Sequence, residues 1–185
     1  MEFRHFLKRC ISALNLSGVD YVIVGGVLVS IYGEPRTTKD IDVIINIKEN
    51  EDNKIEKFLK SLNKFELQVL GGKNTIKSSL REKIHFTAFN KSYLYWMDIQ
   101  GIYSILDEIV FETRKKIKIL GENAWVESME ALIVSKLSVY YSEQSLRDVK
   151  SILILNKDKI NKQLLFKIAD KIGVRRRVEE VLNKI

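Results

Sequence analysis

An apolar run, Tyr21-Val22-Ile23-Val24, passes straight into Gly25-Gly26, and further on the chain reads Asp40-Ile41-Asp42. β-Branched residues ending at paired glycines read as a buried strand that stops at a turn. Val27 to Tyr32 then reads as a short helix, closed by the breaker Gly33-Glu34-Pro35. Asp40 to Ile47 is a second strand by its β-branched content. Side chains alternate along a strand, so Asp40 and Asp42 share one face while Ile41, Val43 and Ile45 take the other. Strand, glycine turn, helix and acid-bearing strand in that order commit the chain to a mixed α/β fold.

The remainder is consistent with this. Apolar residues from Phe3 to Leu14 recur at helical spacing, and Ser17-Gly18 ends that helix. Glu51 to Leu62 is a polar helix with Ile55, Phe58, Leu59 and Leu62 on one side. Glu66 to Leu70 reads as a strand and Gly71-Gly72-Lys73-Asn74 as a turn. Lys83–Phe89 and Tyr93–Ile99 read as two strands joined tightly at Asn90-Lys91-Ser92, a hairpin. Ile102 to Val110 is expected to be helical and Lys116 to Leu120 an edge strand. From Ser128 onward only helical periodicity is found, over Ser128–Tyr141, Ser145–Asn156, Asn161–Ile172 and Arg175–Lys184.

The acids carry the chemistry. Two carboxylates side by side repel, and they coexist when exposed or when a cation sits between them. The cation suited to such a pair is hard and oxygen-loving, Mg²⁺ above all. Asp98 stands in an apolar, aromatic strand, where an acid needs a cation or hydrogen-bond donors unless it ends in solvent. Three carboxylates on adjacent strands would make a two-metal site. Gly25-Gly26 would let backbone N–H groups approach an anion at the helix start, although a plain strand–helix turn uses glycine as well. Arg36 offers a forked donor for phosphate, or a solvated side chain. Lys136 lies on the apolar stripe of Met129, Leu132, Ile133, Leu137 and Tyr140, so it either snorkels to water or reaches into a cleft. Asp148 would pair with Lys136 or Arg147, or form an ordinary surface ion pair.

Taken together, Gly25-Gly26, Arg36-x-Thr38-x-Asp40-Ile41-Asp42 and Asp98 resemble the nucleotidyltransferase superfamily, with the fold of DNA polymerase β. Lys136 on a helix, followed by Arg147-Asp148 opening the next, resembles the AbiEii-like toxin group within it. The likeness spans residues 15 to 155. Ser145 and Ser151 depart from that group's pattern, standing where a basic and an acidic residue are common. The resemblance implies a short mixed β-sheet flanked by helices and a C-terminal helical region, with 1–125 as catalytic core and 126–185 packed on it. It implies two Mg²⁺ ions held by Asp40, Asp42 and Asp98, with Asp98 as base toward a hydroxyl. Gly25, Gly26, Arg36, Thr38, Lys136 and Asp148 would bind the nucleotide, ATP or another NTP. The implied reaction moves NMP onto RNA, tRNA or protein, and an antitoxin partner is implied if the protein is a toxin.

Composition excludes other classes. Cys10 is alone, so one chain builds neither a disulfide framework nor a cysteine zinc site. Two histidines, His5 and His85, argue against a histidine metal centre. No apolar run approaches membrane-spanning length and no signal-like segment opens the chain, so a cytoplasmic protein with no membrane partner is expected. The 185 residues carry a net charge of +7, which suits a phosphorylated or nucleic-acid partner, or a lysine-rich face that is simply solvated. The alternatives are a non-catalytic nucleotide- or RNA-binding protein that keeps the fold, and a helical interaction protein using Arg175-Arg176-Arg177.

Overall fold

A computed structural model describes residues 2–91, 94–138 and 142–184. The chain opens with α1 (Phe3–Ser17), β1 (Tyr21–Val24), α2 (Gly26–Tyr32), β2 (Asp40–Ile45) and α3 (Asp52–Lys64). Then come β3 (Gln68–Val69), α4 (Gly72–Glu82), β4 (Phe86–Phe89), β5 (Trp96–Gln100) and α5 (Ile105–Thr113). It closes with β6 (Lys115–Ile119), β7 (Glu122–Val126), α6 (Met129–Ser138), α7 (Glu143–Leu155), α8 (Lys162–Ile172) and α9 (Arg175–Leu182).

Among the described residues the strands form one mixed sheet of seven, in the order β3-β4-β5-β2-β1-β7-β6. β2 pairs antiparallel with β1 and parallel with β5, and this register decides the site. Val24 stands opposite Asp42, and Asp42 opposite Asp98. Ile23, Val43 and Ile99 therefore share the other face, and all three are buried. The central strands are buried on both sides, which is why β1 reads as an unbroken apolar run rather than an alternating one.

The helices follow from their apolar stripes. α3 buries Ile55, Phe58 and Leu62, three positions spaced along one face, and α1 packs against α3 and β7. Gly18 ends α1 in the left-handed conformation at φ 66°. Ser104 and Asp107 form a capping box that starts α5. The Asp107 carboxylate also accepts from Gln100 Nε2 at 3.1 Å, which ties α5 to the end of β5. α6 packs against α5, α7, α8 and α9, and one hydrophobic core runs from Phe6 to Val181.

Three readings are corrected. Gly71 to Asn74 is no isolated turn: Gly71 and Gly72, at φ 73° and 56°, lead into α4. Its polar sequence hides a narrow buried stripe of Ile76, Ser79 and Leu80. β7 was not expected at all; it pairs antiparallel with β6 through Leu120-Gly121, both at positive φ, the geometry of a tight hairpin. β2 also ends at Ile45, before Ile47. The hairpin of β4 and β5 is present, although Ser92 and Tyr93 of its connection lie outside the described residues. So do Tyr140 and Tyr141 at the end of the expected Ser128–Tyr141 helix. β6 is the expected edge strand.

Candidate active site

Adjacent strands bring the three acids together. Ligand oxygens of Asp40, Asp42 and Asp98 all lie within 4.8 Å of one another, and each residue is partly buried. Asp40 is steadied by the Thr38 hydroxyl, which donates to its Oδ1. Asp98 accepts from Thr87 Oγ1 at 2.7 Å on β4 and from Trp96 Nε1 at 2.9 Å on its own strand. The acid in the aromatic strand has therefore found the donors that burial requires.

Asp42 is the strained member of the group. Burial, and then the neighbouring charges of Asp40 and Asp98, push its carboxyl up to about 6. Lys136 and the amide of Gly26 act in the opposite direction without cancelling this. Gly25 makes the crowding sterically feasible: at φ 76° it has no Cβ, and one built there would overlap the Asp42 carboxylate. This is the close approach that glycine permits and other residues forbid.

A cleft of about 270 Å³ opens beside the triad, between the sheet and helices α5 and α6. Asp42, Asp98, Gln100 and Gly25 line it from the sheet, and Leu106, Val110, Leu132, Ser135 and Lys136 from the helices. Lys136, partly buried rather than extended into water, reaches Asp148 with Nζ 3.1 Å from Oδ2. Arg36 approaches the same oxygen at 3.8 Å, and neither Arg36 Nε nor Asp148 Oδ2 completes a hydrogen bond. The guanidinium lies over Gly26, where a Cβ would come within 2.6 Å of Nη2. Arg147 turns instead to Glu143 and Gln144.

The structure thus assembles the residues that the sequence singled out, with two differences. The amides of Gly25 and Gly26, expected to approach phosphate, lie beside carboxylates whose ionised forms they favour, Gly25 at Glu127 and Gly26 at Asp42. Asp148, expected beside the nucleotide, is 3% exposed and enclosed by Lys136, Arg36 and Gln144, whose amide donates to it at 2.7 Å. Ser151 stands close against Gly33 and accepts from the amide of Glu34 at 3.2 Å, so α7 anchors the loop that carries Arg36.

Glu127 escaped sequence reasoning. It lines the cleft, is 1% exposed, and burial pushes its carboxyl up to about 7 against the pull of Ser135, the Gly25 amide and Lys136. The signal was present: an acid directly after the apolar Ala124-Trp125-Val126 is as conspicuous as Asp98 in its own strand.

No family model matches the sequence, and no curated protein matches it. Solved structures do. The chain is similar to an antigenic nucleotidyltransferase-like protein from Paracoccidioides brasiliensis at 19% identity, over 97% of this chain and 89% of that one, with a TM-score of 0.52. It is similar to ANT(2'')-Ia in complex with adenylyl-2''-tobramycin at 12% identity, over 94% and 98% of the two chains, with a TM-score of 0.60. The lincosamide antibiotic adenylyltransferase LnuA, lincomycin-bound, matches at 13% identity over 82% and 96%, with a TM-score of 0.54. The chain has the nucleotidyltransferase fold, as its motifs led us to expect.

Proposed function

We propose that this protein transfers NMP from an NTP to a hydroxyl acceptor, using Asp40, Asp42 and Asp98 as its metal-binding acids. The observation that carries this reading is the carboxylate cluster itself, three acids within 4.8 Å on adjacent strands, inside a fold shared with adenylyltransferases. The residues fit a hard divalent cation: all three donors are oxygens, and the Asp42 carboxyl, raised first by burial and then by the charges of Asp40 and Asp98, is one that a cation would favour in its ionised form. Mg²⁺, as one or two ions on these acids, would neutralise the triphosphate and favour the ionised form of the attacking hydroxyl.

The chain's own groups then have definite tasks. Asp98, held by Thr87 and Trp96, takes the proton of the acceptor hydroxyl. The hydroxyl oxygen bonds to the α-phosphorus as the bond from that phosphorus to the bridging oxygen breaks, and pyrophosphate leaves with those electrons. Lys136 and Arg36 neutralise the charge that grows on the phosphates. Asp148 holds both cations ready, Thr38 steadies Asp40, and Gly25 leaves room for Asp42. Catalysis of this kind is positioning and charge stabilisation, without a covalent enzyme intermediate.

Adenylyl chemistry in the structural neighbours supports ATP as the donor. The proposed acceptor is a hydroxyl on RNA, a tRNA end included, or on protein, and the net charge of +7 favours RNA. In that case the protein serves as the toxin of a toxin–antitoxin or abortive-infection pair, with an antitoxin as partner. A small-molecule acceptor is the second reading, favoured by the lincomycin-bound and adenylyl-tobramycin neighbours. The interaction-protein reading loses its main support, because Arg175 and Arg176 pair with Asp170 of α8 and with Glu179 and Glu180 of α9. Among the described residues no helix is long and apolar enough to cross a membrane.

The test is label transfer. Protein, Mg²⁺, each α-labelled NTP and total RNA are incubated beside an Asp40→Asn/Asp42→Asn control, with a metabolite extract as a further acceptor pool. Label on RNA, protein or a small molecule that the control lacks is the expected result. Equal label in the control overturns the assignment.

A further inference from the structure

Glu127 is a buried acid in the cleft wall that the transfer described above does not use. Four contacts converge on it. Its backbone amide donates to Ile23 O on β1 at 2.9 Å, and its carbonyl accepts from Tyr32 Oη at the end of α2 at 3.1 Å. Its carboxylate accepts from Ser135 Oγ on α6 at 2.6 Å, and the Gly25 amide faces it on the cleft wall and favours its ionised form. One residue is therefore fastened to the strand before the glycine turn, to the helix after it, and to the helix that bears Lys136, with its carboxylate beside the turn itself.

The consequence is geometric. Gly25 adjoins Asp42, since only a missing Cβ keeps the two from overlapping. Ser135 precedes Lys136 on α6. The Glu127 carboxylate thus lies between the acid end of the cleft and its cationic end. We propose that Glu127 is a positioning residue, whose bridge between the Gly25 amide and Ser135 fixes the distance from the carboxylate triad to Lys136. This rests on the nucleotidyl-transfer reading for its catalytic consequence, and on the contacts of Glu127 with β1, α2 and Ser135 for its structural one. A bridge of this kind matters because reacting groups misplaced by about 1 Å lose on the order of 100-fold in rate.

Buried acids are also held as proton carriers, and the substitutions separate the two roles. Glu127→Gln keeps the bridge without the charge: Oε1 accepts from Gly25, and Nε2 donates to Ser135 Oγ. Glu127→Met fills the same space with no polar atom. Label transfer gives kcat and KM for the NTP, and hydrogen exchange at the Gly25 amide gives the bridge directly, with a melting curve for each variant.

The expected result is a loss in kcat of roughly 10- to 100-fold for Glu127→Met, with KM moving by less than about threefold. Gly25 exchange should accelerate, and the melting point should be no lower than that of wild type. Glu127→Gln should recover most of the rate and the Gly25 protection. Wild-type rate in Glu127→Met overturns the proposal. So does Glu127→Gln as slow as Glu127→Met with Gly25 still protected, which assigns the residue to proton transfer. If wild type itself transfers no label, the functional reading fails separately, and unchanged Gly25 exchange in Glu127→Met overturns the bridge on its own.

Discussion

Replacing Asp148 by Asn tests how the cationic side of the cleft is held. Asp148 is 3% exposed, with Lys136 Nζ at 3.1 Å and Arg36 Nε at 3.8 Å from one oxygen. Charges about 4 Å apart interact by about 4 kcal/mol at an effective dielectric near 20. The cost of burying the acid offsets part of that, yet removing one partner alone from a buried pair costs about 3–5 kcal/mol. Both cations keep contact with water, at 19% and 32% side-chain exposure, so they recover some hydration when the acid goes. The loss expected for Asp148→Asn is therefore about 2–3 kcal/mol. For a chain of this size that is a fall in Tm of roughly 5–10 °C.

The assay is thermal and urea unfolding of Asp148→Asn, Lys136→Met and the double variant in metal-free, low-salt buffer. Removing both partners leaves fewer unpaired charges, so the double variant should be more stable than the sum of the single losses by about 1–2 kcal/mol. Added phosphate, which can replace the missing anion, should stabilise Asp148→Asn more than wild type. An Asp148→Asn protein that melts within 1 °C of wild type, or strictly additive losses, would refute the reasoning.

Asp42 sets a pH dependence of opposite character. Its folded carboxyl titrates at about 6, above its ordinary value, so the folded metal-free protein binds more protons than the unfolded chain between roughly pH 4 and 6 and loses stability as pH rises through that window. Asp42→Asn should then raise metal-free stability at pH 7 by about 1–2 kcal/mol, and by little at pH 4, in melts at the two pH values. Mg²⁺ should stabilise wild type at pH 7 and have little effect on the variant. Gly25→Ala forces a side chain into positive φ and against Asp42, so it should cost about 1–3 kcal/mol and reduce label transfer by about 100-fold or more.

The readable parts of this fold are those where local pattern and tertiary environment agree. β1 shows its burial as four consecutive apolar residues, and the acids of β2 declare a common face through strand alternation alone. The pairing of Asp42 with Asp98 was beyond reach of pattern, because register between distant strands is set by how β2 and β5 pack. α4 was missed because its buried stripe is narrow and begins at two glycines, which ordinarily stop a helix. β7 was missed because Glu122 and Asn123 look like loop and its Trp125 is only half-buried. The partner of Asp148 was named among two candidates, yet the burial of Asp148 and the approach of Arg36 depend on how α7 packs on α2 and α6.

The fate of the two ends of the nucleotide tests the central claim most directly. The protein is given ATP labelled at the α-phosphate in one reaction and at the γ-phosphate in another, with Mg²⁺ and the acceptor pool. The account predicts α-label on the acceptor and γ-label released as pyrophosphate, both lost in Asp40→Asn/Asp42→Asn. γ-Label on the acceptor, or α-label transfer that survives loss of the two acids, would contradict it.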